Sequence, residues 1–121
     1  MRSNKAADTA ELTDLLERQD DSRRRLLQWV SSYDVVLCPV AGQPAEPINL
    51  GDDPGRRLPG RSYTGLYNST GWPAGVVRGG TSPEGLPIGI QVVGRPWRED
   101  AVLAVCAHVE ERTGGWKPPS L

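Results

Sequence analysis

Between Gly71 and Gly94 the sequence reads GWPAGVVRGGTSPEGLPIGIQVVG. Two runs rich in β-branched residues, Ala74–Val77 and Pro87–Val93, are separated by Gly79-Gly80-Thr81-Ser82-Pro83-Glu84-Gly85, and that spacing leaves little choice of fold. Glycine supplies the positive backbone angles of a tight reversal and proline fixes its entry, so the two runs are expected to return on one another as neighbouring strands. In the second run Ile88, Ile90 and Val92 alternate with Gly89, Gln91 and Val93, which gives one aliphatic face. On the other face Gly89 marks a point where another side chain or backbone comes close.

The remaining elements are read outward from this pair. Asp8 precedes Glu11 by three residues, the spacing of a capping box. Leu12, Leu15, Leu16, Gln19, Arg23, Leu26, Leu27 and Val30 then recur at helical spacing, so a helix is expected over about 9–32. Arg23, Arg24 and Arg25 follow Asp20 and Asp21 by about one turn, and we read the run as a solvated, salt-bridged helix surface in preference to a phosphate site. Val35-Val36-Leu37-Cys38, closed by Pro39, has the unbroken apolar character of a strand buried on both faces. Residues 41–60 carry Pro44, Pro47, Pro54 and Pro59 among several glycines and are expected to form a long loop. Within it Asp52 and Asp53 lack a third oxygen ligand at useful spacing, so a solvated turn is preferred to a metal pair. Ser62 to Leu66 is expected to open a short helix that Gly71 ends, and Pro96 to introduce a last helix, with Glu99 and Asp100 in its first turn. Its apolar stripe is predicted to be Val102, Leu103, Cys106 and Val109, and Gly114-Gly115 to stop it.

Composition limits the partners. Lys and Arg number 14 against 15 Asp and Glu, so no net field favours nucleic acid or an anionic membrane. Cys38 and Cys106 sit in apolar runs and are read as reduced, buried thiols. No apolar run is long enough for a membrane span and the N-terminal residues lack the apolar stretch of a signal peptide, so a cytoplasmic setting is expected. With 14 glycines and 11 prolines among 121 residues, much of the chain must be loop around one small core. The expected organisation is a frayed 1–8 followed by one partial α/β domain over 9–121. Its centre is a small mixed sheet of about three strands, flanked by an N-terminal and a C-terminal helix.

Catalytic chemistry is hard to find. The two lysines, Lys5 and Lys117, lie near the chain ends, and there is no nucleophile elbow, no Ser-x-x-Lys, no phosphate loop and no dinucleotide fingerprint. His108 has no second His, Cys pair or carboxylate at ligand spacing, so neither a metal nor any other cofactor is expected.

Four stretches nevertheless occur in a specific order. They are Tyr33-Asp34-Val35-Val36-Leu37-Cys38-Pro39; Tyr63-Thr64 with Asn68-Ser69-Thr70-Gly71-Trp72-Pro73-Ala74; Gly85-Leu86-Pro87-Ile88-Gly89-Ile90-Gln91-Val92-Val93-Gly94; and a helix opened by Glu99. Together they resemble the C-terminal part of the amidase signature family, over residues 20 to 118. The resemblance implies hydrolysis of carboxylic amides, by a serine nucleophile, a second serine in a cis peptide and a lysine base. No position here matches any of the three, so no catalytic residue is assigned. It also implies one mixed central sheet, and it places Tyr63, Thr64, Asn68 and Trp72 near a substrate cleft; helix capping and packing explain the same four residues equally well. Two readings stand. Either the chain is a C-terminal segment of an amidase-type hydrolase, inactive until the missing N-terminal catalytic portion is supplied, or it is a non-catalytic module for self-association or partner binding.

Overall fold

The computed structural model describes residues 8–45 and 62–118, as α1 (Thr9–Val30), β1 (Val35–Pro39), α2 (Ser62–Thr70), β2 (Ala74–Thr81), β3 (Pro87–Gly94) and α3 (Glu99–Thr113). These fall into two compact units, 1–32 and 33–121. Residues 1–7 and most of the 41–60 loop, Asp52 and Asp53 included, lie outside the described residues.

The first unit is α1. Its capping box forms as the spacing predicts: the Asp8 carboxylate accepts from the Glu11 amide at 2.8 Å, and the Glu11 carboxylate accepts from the Asp8 amide at 3.2 Å. The polar surface is laced by one-turn ion pairs, Asp14 with Arg18, Asp20 with Arg23 and Asp21 with Arg24. All are solvent-facing, so each is worth only a few tenths of a kcal/mol, ~0.2–0.5. The apolar positions divide along the helix: Val30 is buried, whereas Leu12, Leu15 and Leu16 are more than half exposed.

The second unit is built on the predicted strand pair. β2 and β3 are antiparallel, from Ala74 opposite Val93 to Thr81 opposite Pro87. The reversal between them is held by Ser82, whose amide donates to the Leu86 carbonyl at 2.8 Å and whose carbonyl accepts from Gly85 at 3.0 Å. Gly85, at φ +86, takes the left-handed angle that the turn requires. β2 runs four residues further than expected. The register shifts between Arg78 and Gly80, and this bulge absorbs Gly79 and Gly80 into the strand. Gly79 lies beneath the Ile90 side chain, which leaves no room for a Cβ.

β1 joins on the other side of β3, Val35 opposite Gly94 and Leu37 opposite Val92, so the strand order is β1-β3-β2. Both pairings among the described residues are antiparallel, where a mixed sheet is expected: β3 lies between its two partners and runs opposite to each. Residues opposite one another in an antiparallel ladder share a face. One face therefore carries Val35, Leu37, Gly75, Val77, Ile90, Val92 and Gly94; the other carries Val36, Cys38, Ala74, Val76, Gly89, Gln91 and Val93.

α3 covers the first of these faces, packing on β2 and β3. Val77, Val92, Val102 and Cys106 form the buried core, with Val35, Val105 and Val109 against it. The helix comes close because two glycines make room. A Cβ on Gly75 would stand 2.7 Å from the Cys106 sulfur, and one on Gly94 would stand 2.7 Å from a Val102 methyl and 3.1 Å from the Arg98 carbonyl. Two expectations are corrected here. Leu103 is 67% exposed, and the stripe that meets the sheet is Val102, Val105, Cys106 and Val109, the i, i+3, i+4, i+7 positions of one helical face. β1 is not buried on both faces, since Leu37 is 56% exposed: among the described residues β1 is an edge strand, and α3 lies over the other two.

Gly114, at φ +80, ends α3 as predicted. The Thr113 hydroxyl sits within hydrogen-bond distance of the Arg78 carbonyl at 2.7 Å, and the Arg78 guanidinium reaches the Gly115 carbonyl at 3.5 Å, which ties the end of the helix to the bulge of β2.

Candidate functional site

α2 carries three of the four residues expected in a cleft wall. Gly71, at φ +69, ends the helix, and its amide donates to the Tyr67 carbonyl at 3.0 Å. The Thr70 hydroxyl donates to the same carbonyl at 2.9 Å and lies 3.4 Å from the Trp72 amide that follows. The half-buried stripe of α2 is Thr64, Tyr67 and Thr70, at three-residue spacing. Tyr63, at 42% exposure, and Asn68 face outward, while Trp72 is buried. The four candidates are thus placed differently: Thr64 on the inward stripe, Tyr63 and Asn68 on the outward side, and Trp72 packed past the helix end. Packing accounts for the Trp72 ring, and nothing equivalent accounts for Tyr63 or Asn68.

Tyr67, which no motif in the sequence singles out, makes the most specific polar contact of the region. Its phenol meets the Cys38 thiol of β1. Burial first, and then the charge and hydrogen bond of that thiol, push the phenol above its ordinary value. A signal is present in the spacing, since Thr64 and Tyr67 share one side of a helix. Cys38 is paired in register with Gln91, which is 3% exposed and whose amide oxygen has no hydrogen-bond donor among the described residues.

A separate concavity of about 500 Å³ opens between the chain leaving β1 and the β2–β3 pair. Its walls are residues 40–45, 76–78 and 87–89, and Arg78 is the one charged residue among them. Val40 and Val76 close in on Gly89: a Cβ there would lie 3.0 Å from a Val40 methyl and 3.1 Å from a Val76 methyl, the close approach the sequence anticipates. None of Tyr63, Thr64, Asn68 or Trp72 lines it.

These groups do not assemble a nucleophile. A phenol that holds its proton more tightly than usual is a poor acid partner, and its neutral form is a poor base for the Cys38 thiol. Ser82 is buried in the β2–β3 turn, where its hydroxyl lies 3.3 Å from the Leu86 amide. Glu84 beside it is held below the usual carboxylate range, first by the hydrogen bond to the Ser82 side chain, and so is a weakened base. His108 is exposed on α3. Among the described residues no three His, Cys, Asp or Glu side chains converge to hold a metal ion, and no helix is long and apolar enough to cross a membrane.

Comparison with known proteins shows the family. The family model described as Amidase matches residues 1–103. A glutamyl-tRNA(Gln) amidotransferase subunit of Mesorhizobium japonicum is 30% identical over 93 residues, covering 74% of this chain and 18% of that protein. The fatty acid amide hydrolase of Arabidopsis thaliana is 35% identical over 109 residues, covering 82% of this chain and again 18% of the relative. Among solved structures, the corresponding glutamyl-tRNA(Gln) amidotransferase subunit of Thermotoga maritima superimposes with a TM-score of 0.75 at 27% identity, over 86% of this chain and 23% of that one. The native peptide amidase of Stenotrophomonas maltophilia superimposes with a TM-score of 0.67 at 25% identity, over 98% of this chain and 23% of that one. The chain therefore spans less than a fifth of the length of these curated relatives.

Proposed function

The chain belongs to the amidase signature family, and we propose that it serves as the C-terminal segment of an amidase-type hydrolase, forming part of a substrate-cleft wall whose serines and lysine are supplied by an N-terminal catalytic portion. The observation that carries this reading is a mismatch. The family match extends over residues 1–103, yet no position in the 121 residues matches the serine nucleophile, the second serine or the lysine base. Hydrolysis of an amide needs a nucleophile with a base in reach and donors for the oxyanion. The polar pair beneath α2, Tyr67 with Cys38, supplies neither.

The substrate class follows from what the relatives' names share, which is chemistry at a carbonyl joined to nitrogen: a fatty acid amide hydrolase, a peptide amidase and an amidotransferase. We assign a carboxylic amide. In this reading Tyr63 and Asn68, exposed on α2, face the substrate cleft, and Thr64 on its half-buried side and Trp72 past its end hold that helix in place as part of the wall. A setting in the cytoplasm, without nucleic acid or membrane contact, agrees with the balanced charge.

Complementation in trans tests the reading. The Thermotoga maritima polypeptide is truncated before the segment that this chain superimposes on and is coexpressed either with this chain or with its own excised segment. The expected result is co-purification and amide hydrolysis with both segments, the native one serving as reference. Restoration by the native segment and none by this chain would count against the assignment.

A further inference from the structure

The two edges of the three-stranded sheet are unlike, and the difference points to what the chain does by itself. On the β2 side the edge is interrupted by the bulge between Arg78 and Gly80, and it carries a cation. The Arg78 guanidinium folds along its own strand to the Gly80 carbonyl and the Thr81 hydroxyl. Bulges and charges are among the devices that stop an edge strand from pairing further, as is proline, which β1 carries only at its last position. β1 has neither bulge nor charge. Val35-Val36-Leu37-Cys38-Pro39 is uncharged, in continuous register with β3 and, among the described residues, paired on that side alone. Its central side chain, Leu37, is 56% exposed, whereas Val35 packs against the core beneath α3.

We propose that β1 is an interaction edge and that in the 121-residue chain its occupant is a second copy of the same strand, paired antiparallel about a two-fold axis through Leu37. The strand is self-complementary in that arrangement. Leu37 meets Leu37 of the second copy, Val36 meets Cys38, and Val35 meets Pro39, so every cross-strand pair is apolar and no like charges are brought together. Pro39, which has no N–H to donate, falls at the end of the ladder, where the loss is least. β2 against β2 would instead bring two Arg78 side chains to one edge. Pairing through β1 would make one six-stranded antiparallel sheet with both α3 helices on the same face and the two Leu37 side chains between them.

The test is the molar mass of the purified chain by light scattering across a concentration series, for wild type, Leu37→Lys and Val76→Lys. Both substituted side chains are more than half exposed, one on each edge strand, so neither lysine needs to be buried in the monomer. The wild type is expected to approach twice the 13.1 kDa chain mass. Leu37→Lys, which sets two ammonium groups against each other at the axis, is expected to return to the single-chain mass with unchanged far-ultraviolet circular dichroism, and Val76→Lys to keep the doubled mass. Leu37→Cys gives an independent readout: mild oxidation should produce a disulfide-linked dimer, reversed by reductant and absent from Val76→Cys. A wild type that stays monomeric at millimolar concentration would overturn the proposal, as would a dimer dispersed by Val76→Lys and not by Leu37→Lys. A monomer that binds the truncated amidase polypeptide through β1 would overturn it as well, and would give that edge to the catalytic portion. No amidase polypeptide enters the mass measurement, so a failed complementation leaves its outcome unchanged.

Discussion

At Gly94 a missing side chain sets the distance between α3 and the sheet. A Cβ there would meet the Val102 methyl, which can turn, and the Arg98 carbonyl, which cannot. Gly94→Ala is therefore expected to cost about 1–3 kcal/mol, the usual range for overpacking, read as a lowered midpoint in urea denaturation. Trp97 poses the opposite case. It holds a left-handed backbone, φ +64, with 88% of its surface exposed, so its ring contributes little burial to offset a conformation that bulky residues avoid. Trp97→Gly is expected to raise stability, by about 1 kcal/mol, in the same assay. Two titrating groups add a pH dependence. Burial first, then Glu110, raise the Cys106 thiol; burial first, then Cys38, raise the Tyr67 phenol. A group with a raised value binds its proton more tightly in the folded chain, so its contribution is intact below the ordinary value. It is lost as pH climbs through the range where the unfolded chain gives up its proton first. The melting temperature should fall from about pH 8.5 upward for the thiol and from about pH 10 for the phenol. Cys106→Ala should flatten the first part of that slope, whatever it does to the midpoint. Gly89 can be marked from sequence as a place of close approach because a glycine inside a strand has few other uses, whereas Gly94 reads only as the end of the strand. Tyr67 and Gln91 cannot be so marked, because their significance lies in which neighbours the register brings to them.

Among the elements, those governed by local chemistry are legible in the sequence. The capping box at Asp8 and Glu11, the left-handed stop at Gly114 and the reversal at Gly85 each involve residues within a few positions, and each forms where the sequence predicts. The elements that depart from expectation are those whose character depends on what lies over them. The run Val35–Cys38 looks like a strand buried on both faces, but an edge position leaves Leu37 open, and no pattern within five residues distinguishes a central from an edge strand. Likewise Leu103 is as apolar as Val105, and the placement of α3 decides between them. β2 reads as shorter than it is because Gly79 and Gly80 have the chemistry of turn residues, whereas the bulge keeps them in the ladder. For α1 a quantitative expectation follows from the cap alone. Asp8→Ala removes the acceptor of the Glu11 amide and should cost the helix about 0.5–2 kcal/mol. Faster hydrogen exchange confined to the first turn, around Leu12, would show it. Exchange unchanged there would mean that the cap is not what fixes the start of the helix.

At the scale of the whole molecule, the apolar cluster of the 33–121 unit lies on the α3 side of a three-stranded sheet, and the other side carries the buried Val93 and Gln91 and the polar pair of Tyr67 and Cys38. Family membership is legible because four short motifs keep their order, and the fold around them agrees with a solved amidotransferase subunit at a TM-score of 0.75. Of the candidate region the helix is legible, since α2 forms over the expected residues, whereas the separate concavity beside β2 involves residues 40–45, which read as loop. The central claim is that this chain carries a wall of an amidase and none of its reactive groups. Ammonia release from a panel of primary carboxylic amides, acyl and peptidyl, followed with the purified 121-residue chain alone, tests it most directly. The predicted rate equals that of buffer at every chain concentration. A rate that rises in proportion to chain concentration, and that survives repurification, would contradict it.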